Sequence, residues 1–154
     1  MTTHTTDERS THDVHDVAAE RLHADGQRYT PRRRALVELL AELEQPVTIP
    51  QLLERRRDLA QSSVYRNLAV LERAGVVHRI VTTDEFARYE LAEDLTEHHH
   101  HLICGRCGDV SDFTVPATLE KDLAAALARV ARQARFTVAD HRLDLLGTCA
   151  RCTD

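Results

Sequence analysis

The chain has 154 residues, of which 42% are apolar, so it can form one ordinary domain or two small ones with a buried core. Its apolar runs are too short to span a bilayer and its polar start lacks a secretory leader, which predicts a cytoplasmic protein without membrane contact. Residues 21–80 carry 11 Arg against 7 acidic residues, a net charge of +4 within a chain of net charge −5, which is typical of a polyanion-binding first half and a cation-binding remainder.

Helical periodicity dominates the first half of the chain. Residues 1–13 are polar and are expected to form a disordered tail. The first helix is predicted to end at Gly26, the second to begin at Pro31 with Thr30 as its N-cap, and the third to begin after Thr48. These signals predict three short helices in succession.

A fourth helix and a hairpin complete the first half. The helix SVYRNLAVLERAG is predicted to be capped by Ser62 and to end at Gly75, and the β-type runs VVHRIV and FARYEL follow it. Helices followed by a two-stranded hairpin predict a winged helix-turn-helix DNA-binding domain over residues 14–91, with residues 92–97 as a linker.

The remaining residues, 98–154, have a mixed pattern. HHLIC and SDFTV are predicted as strands, an Ala- and Leu-rich helix begins at Pro116, and FTVADHRLDLLGTC returns to a strand that includes His141. The chain is therefore expected to be an α+β protein, in which a winged helix-turn-helix precedes a small α/β domain.

The fourth helix is amphipathic. Val64, Leu68 and Leu71 repeat at helical spacing and predict a buried face. The first turns of a recognition helix reach base edges, where a tyrosine ring can touch thymine methyl groups and an arginine can bind guanine or phosphate. An ordinary solvated surface is the alternative. The candidate DNA-binding residues at this end of the helix are Ser62, Ser63, Tyr65 and Arg66.

Four cysteines form two matched Cys-x-x-Cys pairs, Cys104 with Cys107 and Cys149 with Cys152. Zn²⁺ takes four thiolates in a tetrahedron, and twin pairs of this spacing are a strong zinc signal in a reducing compartment. A redox dithiol or simple burial are the alternatives. Because four thiolates leave no open coordination position, we expect a structural zinc site.

Four consecutive histidines, His98 to His101, precede the first cysteine pair. The run is internal, which argues against a purification tag, and a solvated polar run is the alternative to metal binding. Successive side chains of a strand point to opposite faces, so His99 and His101 are expected on one face and His98 and His100 on the other. Imidazole with carboxylate suits Zn, Fe, Mn, Co or Ni. The further candidate ligands are Glu90, His78 and Asp112 for the first pair, and Glu120 and His141 for the second.

The order of these motifs is specific. SSVYRNLAVLERAGVVHR, RYEL, HHHHLICGRCGDVSDF and DHRLDLLGTCARC follow one another between Leu22 and Cys152, and together they resemble the ferric uptake regulator superfamily. The resemblance implies dimeric, metal-sensing bacterial transcription regulators, usually repressors, with a C-terminal dimerisation domain that holds structural zinc.

The resemblance also implies functional residues. The structural zinc falls on the four cysteines, and Arg28, the basic residue just before the second helix, is expected to approach the minor groove. The regulatory metal site falls on Glu90, His99, His101 and Asp112, with His78 as a further candidate. A third metal site falls on His98, His100, Glu120 and His141.

The segment between the second and third helices departs from iron-type members of the superfamily, because ELEQPVT contains no histidine. His78 stands where some zinc-sensing relatives have a carboxylate ligand. A set of three histidines with Glu90 suits tetrahedral Zn²⁺, so zinc is the first expectation for the regulatory metal, whereas coordination by Asp112 would favour Fe²⁺ or Mn²⁺.

These features predict a metal-dependent repressor of metal homeostasis genes that acts as a homodimer on a palindromic double-stranded DNA operator. An iron-based, peroxide-sensing repressor of the same superfamily is the alternative. A zinc hydrolase is a remote alternative, because the chain lacks H-E-x-x-H and every nearby carboxylate is needed as a ligand. We therefore expect a regulator and not an enzyme.

Overall fold

The computed structural model describes residues 7–43, 45–83, 85–139 and 141–153. In these residues the α-helices are α1 (Asp7–Ala24), α2 (Pro31–Leu43), α3 (Ile49–Arg55), α4 (Gln61–Arg73) and α5 (Ala117–Ala134). The strands are β1 (Val47–Thr48), β2 (Val77–Ile80), β3 (Arg88–Leu91), β4 (His100–Cys104), β5 (Val110–Phe113) and β6 (Asp144–Gly147). No described helix is both long and apolar enough to cross a membrane. The combination of helices with two sheets confirms the predicted α+β class.

The first sheet has the strand order β1-β3-β2, and its pairs are antiparallel. The β2–β3 hairpin corresponds to the predicted wing, whereas β1 was not predicted because two residues are too short to show a period. Side chains of the helices and of this sheet form one hydrophobic core. Burial of a large aliphatic side chain contributes roughly 1.5–3 kcal/mol to the free energy of unfolding, so this core holds the helices on the sheet. The core includes Leu36, Leu40, Leu68, Leu71 and Leu91.

Helix α1 begins at Asp7, which corrects the predicted disordered tail over residues 1–13. Val14, Ala18 and Leu22 recur at helical spacing, are buried and anchor the helix on the core. Residues 7–13 contain neither Pro nor Gly, so the helix can extend toward its N-terminus from this anchor. Residues 1–6, the rest of the predicted tail, lie outside the described part of the chain.

Helix α4 begins two residues earlier than predicted. Ala60 is the N-cap, and its carbonyl accepts hydrogen bonds from the backbone N–H groups of Ser63 and Val64. Ser62 therefore lies in the first helical turn and does not cap the helix, which leaves its exposed hydroxyl group outside the capping interaction. The helix ends before Gly75, whose φ of +74° favours glycine, as predicted.

The second sheet has the strand order β5-β4-β6, in which β4 pairs antiparallel with β5 and parallel with β6. The prediction that His141 lies in the last strand is wrong, because β6 begins at Asp144. Asp144 pairs with His101, the second residue of β4. A parallel partner for His141 would therefore fall ahead of β4, so His141 belongs to the connection between α5 and β6.

Candidate metal centres and DNA-facing helix

Four cysteine sulfur atoms meet at one end of the second sheet. The Sγ atoms of Cys104, Cys107, Cys149 and Cys152 lie within 4.8 Å of one another. Because β4 and β6 run in parallel, the cysteine pairs, which lie at the end of β4 and just after β6, come to the same end of the sheet. Gly108, with a φ of +72°, turns the chain after the first pair. The Cys107 and Cys149 sulfurs are 3.7 Å apart, and a tetrahedron with Zn–S bonds of about 2.3 Å requires about 3.8 Å.

Hydrogen bonds shift the pKa values of two of these thiols in opposite directions. Backbone N–H groups of Cys107, Cys149 and Arg106 donate to the Cys104 sulfur and lower the pKa of that thiol to about 6. Hydrogen bonds with Cys149 and Cys107 instead raise the pKa of Cys152 to about 12. Four thiolates at this spacing repel one another, and a divalent cation at their centre removes that repulsion. The donor set therefore fits Zn²⁺.

A second group of side chains joins the two sheets, and we name it the Glu90 cluster: Glu90, His99, His101 and Asp112. Glu90 lies on β3 of the first sheet, and its Oε2 is 3.2 Å from Nε2 of both His99 and His101. Asp112 lies directly opposite His101 in the β4–β5 register. Its Oδ1 is 3.8 Å from Nε2 of His101, and its Oδ2 is 4.0 Å from Nε2 of His99.

His78 lies beside the Glu90 cluster. It is opposite Glu90 in the β2–β3 register, and its Nδ1 is 3.5 Å from Glu90 Oε1. It does not belong to the group whose ligand atoms all lie within 4.8 Å of one another, in which Asp112 is the fourth member. The structure therefore gives Asp112, and not His78, the position nearest the two histidines.

Histidines hold Glu90 in its ionised form. Burial of Glu90 opposes ionisation, but hydrogen bonds from His101, His78 and His99 outweigh it and lower the pKa from 4.5 to about 2. For His99 and His101, burial likewise opposes the charged form. Hydrogen bonds to oxygen atoms, including those of Glu90, nevertheless raise both pKa values above 6.5. A metal at these nitrogen atoms would therefore compete with protons.

These shifts predict how stability depends on pH when the Glu90 cluster holds no metal. Because the Glu90 pKa is lowered, its contribution is present above 4.5 and is lost as the pH falls toward 2. Because the pKa values of His99 and His101 are raised, their contribution is present below 6.5 and is lost above their folded-state values. We therefore expect the stability difference between wild type and His101→Ala to shrink as the pH rises above 6.5 and through the raised folded-state pKa values. Thermal unfolding of both proteins, with zinc kept on the cysteines, measures this stability difference. A difference that grows with pH would contradict the contribution assigned to His101.

The other two histidines of the run belong to a third group, which we name the Glu120 cluster: His98, His100, Glu120 and His141. Glu120 lies in the first turn of α5, and its carboxylate oxygens are 2.9 Å from Nε2 of each of the three histidines. The hydrogen bond from His100 is the main reason why the pKa of Glu120 is lowered. Three imidazoles and one carboxylate form a donor set that fits tetrahedral Zn²⁺.

Contacts at Nδ1, the ring nitrogen that faces away from each cluster, orient three of the histidine rings. Nδ1 of His99 donates to the carbonyl oxygen of Glu97 at 2.7 Å, and Nδ1 of His101 is 3.2 Å from Asp144 Oδ1. Nδ1 of His98 contacts Glu93. A carbonyl oxygen only accepts, so a neutral His99 keeps its proton on Nδ1 and presents the lone pair of Nε2 to the cluster. This arrangement fits metal ligation through Nε2.

Helix α4 presents the predicted polar face. Val64, Leu68 and Leu71 are buried, whereas Tyr65 is 50% exposed and Arg66 is exposed. Ser63 is partly buried, and its hydroxyl accepts a hydrogen bond from the Asn67 amide at 3.1 Å. The side chains of Ser62, Tyr65 and Arg66 are therefore the better placed of the predicted set for contact with DNA.

Arg28 lies just ahead of α2 with an exposed side chain. The Arg33 guanidinium donates to the Arg28 carbonyl oxygen and, through Nε, to Asn67 Oδ1 at 3.1 Å. Arg33 thus ties the segment that carries Arg28 to helix α4. Arg33, Asp144 and Glu93 carry no signal in the sequence that predicts these roles, because each acts through a partner that is distant in the sequence or in an irregular segment.

Comparison with known proteins identifies the family. A model of the ferric uptake regulator family matches residues 24–146. The chain is 32% identical over 144 residues to the ferric uptake regulation protein of Bacillus subtilis (strain 168), covering 89% of this chain and 93% of that one. It is also 32% identical over 140 residues to the peroxide operon regulator of the same organism, covering 88% of this chain and 91% of that one.

The fold agrees with a solved structure. The ferric uptake regulator Fur of Helicobacter pylori superposes with a TM-score of 0.69 over 94% of each chain, at 21% sequence identity. The shared fold includes the winged helix-turn-helix and agrees with the predicted fold class. By sequence and by fold, the chain belongs to the ferric uptake regulator family, whose members are metal-responsive transcription regulators.

Proposed function

We propose that the protein is a metal-dependent, DNA-binding repressor of metal homeostasis genes. The Glu90 cluster is the observation that carries this proposal. Glu90 belongs to the wing, whereas His99, His101 and Asp112 belong to the second sheet. A metal bound by all four would join the winged helix of residues 14–91 to the dimerisation domain of residues 98–154 across the linker of residues 92–97. The family assignment supports a regulatory and not a catalytic role.

Metal binding controls DNA affinity in this proposal by selecting one arrangement of the two domains. Fur-family regulators bind DNA and form dimers. In a symmetric dimer, two recognition helices match a palindromic site only at a fixed separation and angle. A metal that binds this arrangement more tightly than others shifts the population toward it, and DNA affinity rises by the same coupling.

Fe²⁺ or Mn²⁺ is the effector that the Glu90 cluster fits better. The expectation of zinc depended on three histidines with Glu90, but Asp112 and not His78 is the fourth member of the cluster. Two imidazoles and two carboxylates offer up to six donor atoms, which suits the higher coordination numbers of Fe²⁺ and Mn²⁺. Zn²⁺ is proposed for the cysteine site and for the Glu120 cluster.

A titration tests this function. The operator would be selected from a random duplex library with the Mn²⁺-loaded protein, and binding then followed by fluorescence anisotropy. We expect Fe²⁺ under anaerobic conditions, or Mn²⁺, to raise operator affinity in a protein whose cysteine site already holds zinc. Operator affinity that is the same with and without added metal would contradict the proposal.

A peroxide-sensing repressor is the second candidate function. It is favoured by the similarity to the peroxide operon regulator of Bacillus subtilis and by the two-histidine, two-carboxylate donor set. Such a sensor would oxidise one of its own ligand histidines when Fe²⁺ meets peroxide. Mass spectrometry of the peptide that carries His99 distinguishes the candidates, because one added oxygen atom after treatment with Fe²⁺ and peroxide favours the sensor.

Replacement of Arg66 should weaken operator binding. The exposed guanidinium near the start of α4 can bind guanine or phosphate, so Arg66→Ala should cost about 1–3 kcal/mol of binding free energy if the contact is to a base. Arg129→Ala removes the same charge from an exposed position on α5 and serves as the control. Equal operator affinity of both variants, at unchanged metal content, would exclude base recognition by Arg66.

A further inference from the structure

Asp144 contacts the Glu90 cluster without belonging to it. Its Oδ1 is 3.2 Å from Nδ1 of His101, the ring nitrogen that faces away from Glu90, while its Oδ2 is 3.7 Å from the guanidinium of Arg142. The contact follows from strand pairing, because Asp144 is the first residue of β6 and lies beside His101 in the parallel register. His101 is buried, so the ring has few alternative partners.

We propose that Asp144 is a positioning residue for the regulatory metal site, which holds the His101 ring so that Nε2 points into the Glu90 cluster. This inference rests on the proposed function of that cluster. A carboxylate that accepts the Nδ1 proton fixes the tautomer in which Nε2 carries the lone pair, and it makes that nitrogen a stronger donor to a metal. Arg142 on the far side restrains the carboxylate in turn.

The two histidines of the Glu90 cluster differ in the group that accepts the proton of Nδ1. The Nδ1 of His99 is held by the neutral carbonyl oxygen of Glu97, whereas that of His101 is held by a carboxylate. A charged acceptor polarises an imidazole more than a neutral one. His101 is therefore the stronger of the two donors, and Asp144 is the reason for the difference.

Strand β6 also connects this contact to the cysteine site. Asp144 begins the strand, Gly147 ends it, and Cys149 follows two residues later. Zinc on the cysteines thus holds the same short strand that presents Asp144 to His101. The structural zinc supports the sensing site through Asp144 as well as through the fold.

Metal affinity tests the role of Asp144 without the use of DNA. Mn²⁺ binding would be measured by competition with a fluorescent chelator, in protein whose cysteine site and Glu120 cluster are loaded with zinc. We expect Asp144→Ala to weaken Mn²⁺ binding roughly tenfold to hundredfold and Asp144→Glu to restore part of it. Asp122→Asn, an exposed carboxylate on α5, is the control and should bind as wild type does.

A second measurement separates positioning from a general structural role. Proton NMR of protein with Zn²⁺ on the Glu90 cluster reports the Nδ1–H of His101, because a metal on Nε2 leaves the ring proton on Nδ1, where a hydrogen bond to Asp144 protects it from exchange with water. We expect a protected Nδ1–H signal in wild type and its loss in Asp144→Ala, with the melting temperature and the zinc content of the cysteine site retained. An unchanged Nδ1–H signal with unchanged Mn²⁺ affinity would overturn the proposal. A wild type that bound no Mn²⁺ at the Glu90 cluster would contradict the proposed function instead.

Discussion

Replacement of His101 by alanine is expected to abolish the gain in operator affinity that the effector metal produces. His101 is buried and lies 3.1 Å from Glu90 Oε1, so its loss removes a candidate ligand and a contact between β4 and the wing. Allosteric couplings commonly amount to roughly 5–150-fold in affinity, and the whole of that gain should disappear. The dimer and the zinc on the cysteines should remain, as gel filtration and elemental analysis would show.

His100→Ala is the matched control for this variant. It removes the neighbouring histidine of the same strand, whose Nε2 instead contacts Glu120 at 2.9 Å. We expect it to reduce the metal-dependent gain only in part, because the Glu90 cluster keeps its four members. If the two variants had identical effects on Mn²⁺-dependent anisotropy, the assignment of the histidines to separate clusters would be wrong.

Replacement of Cys149 by serine should have the largest effect on folding. Structural zinc contributes roughly 10–16 kcal/mol in small peptides at neutral pH, which is comparable to the whole stability of a typical domain, about 5–15 kcal/mol. The Cys149 sulfur lies 3.7 Å from that of Cys107, and both follow strands of the second sheet. Cys149→Ser should therefore give monomeric or aggregated protein, measurable by analytical ultracentrifugation.

Thr148→Ser provides the control for a mild change next to this site, and it should remain a dimer with zinc bound. Treatment of wild-type protein with a strong zinc chelator should reproduce the effect of Cys149→Ser. A Cys149→Ser protein that stayed a stable dimer without zinc would show that the cysteines are not needed for folding.

Signals from neighbouring residues in the sequence were sufficient to predict most of the helices. Thr30 with Pro31, and Thr48 with Gln51, mark helix starts because capping depends on residues close together in the chain. Helix α1 was predicted too short, because its first turns precede Val14, the first of the residues that pack on the core at helical spacing. Strand β1 was missed for a related reason, since two residues form a strand only through their pairing with β3.

The candidate metal ligands could likewise be predicted where they depend on neighbouring residues, but not where they depend on the pairing of strands. Strand alternation is a local property, and it separates His99 and His101 from their neighbours without knowledge of the fold. The place of Asp112 beside His101 depends on the pairing of β4 with β5, and the contact of Asp144 depends on a parallel pairing between segments far apart in the chain. Neither can be read from spacing.

The division of the histidine run between two clusters makes the length of this segment as important as its composition. His99 and His101 face Glu90 while His98 and His100 face Glu120, with no spacer residue between the two sets. A shift of one residue in a strand moves every side chain to the opposite face. A substitution in the run would alter one metal site, whereas the loss of a single residue would exchange ligands between two sites and change which metal each one selects.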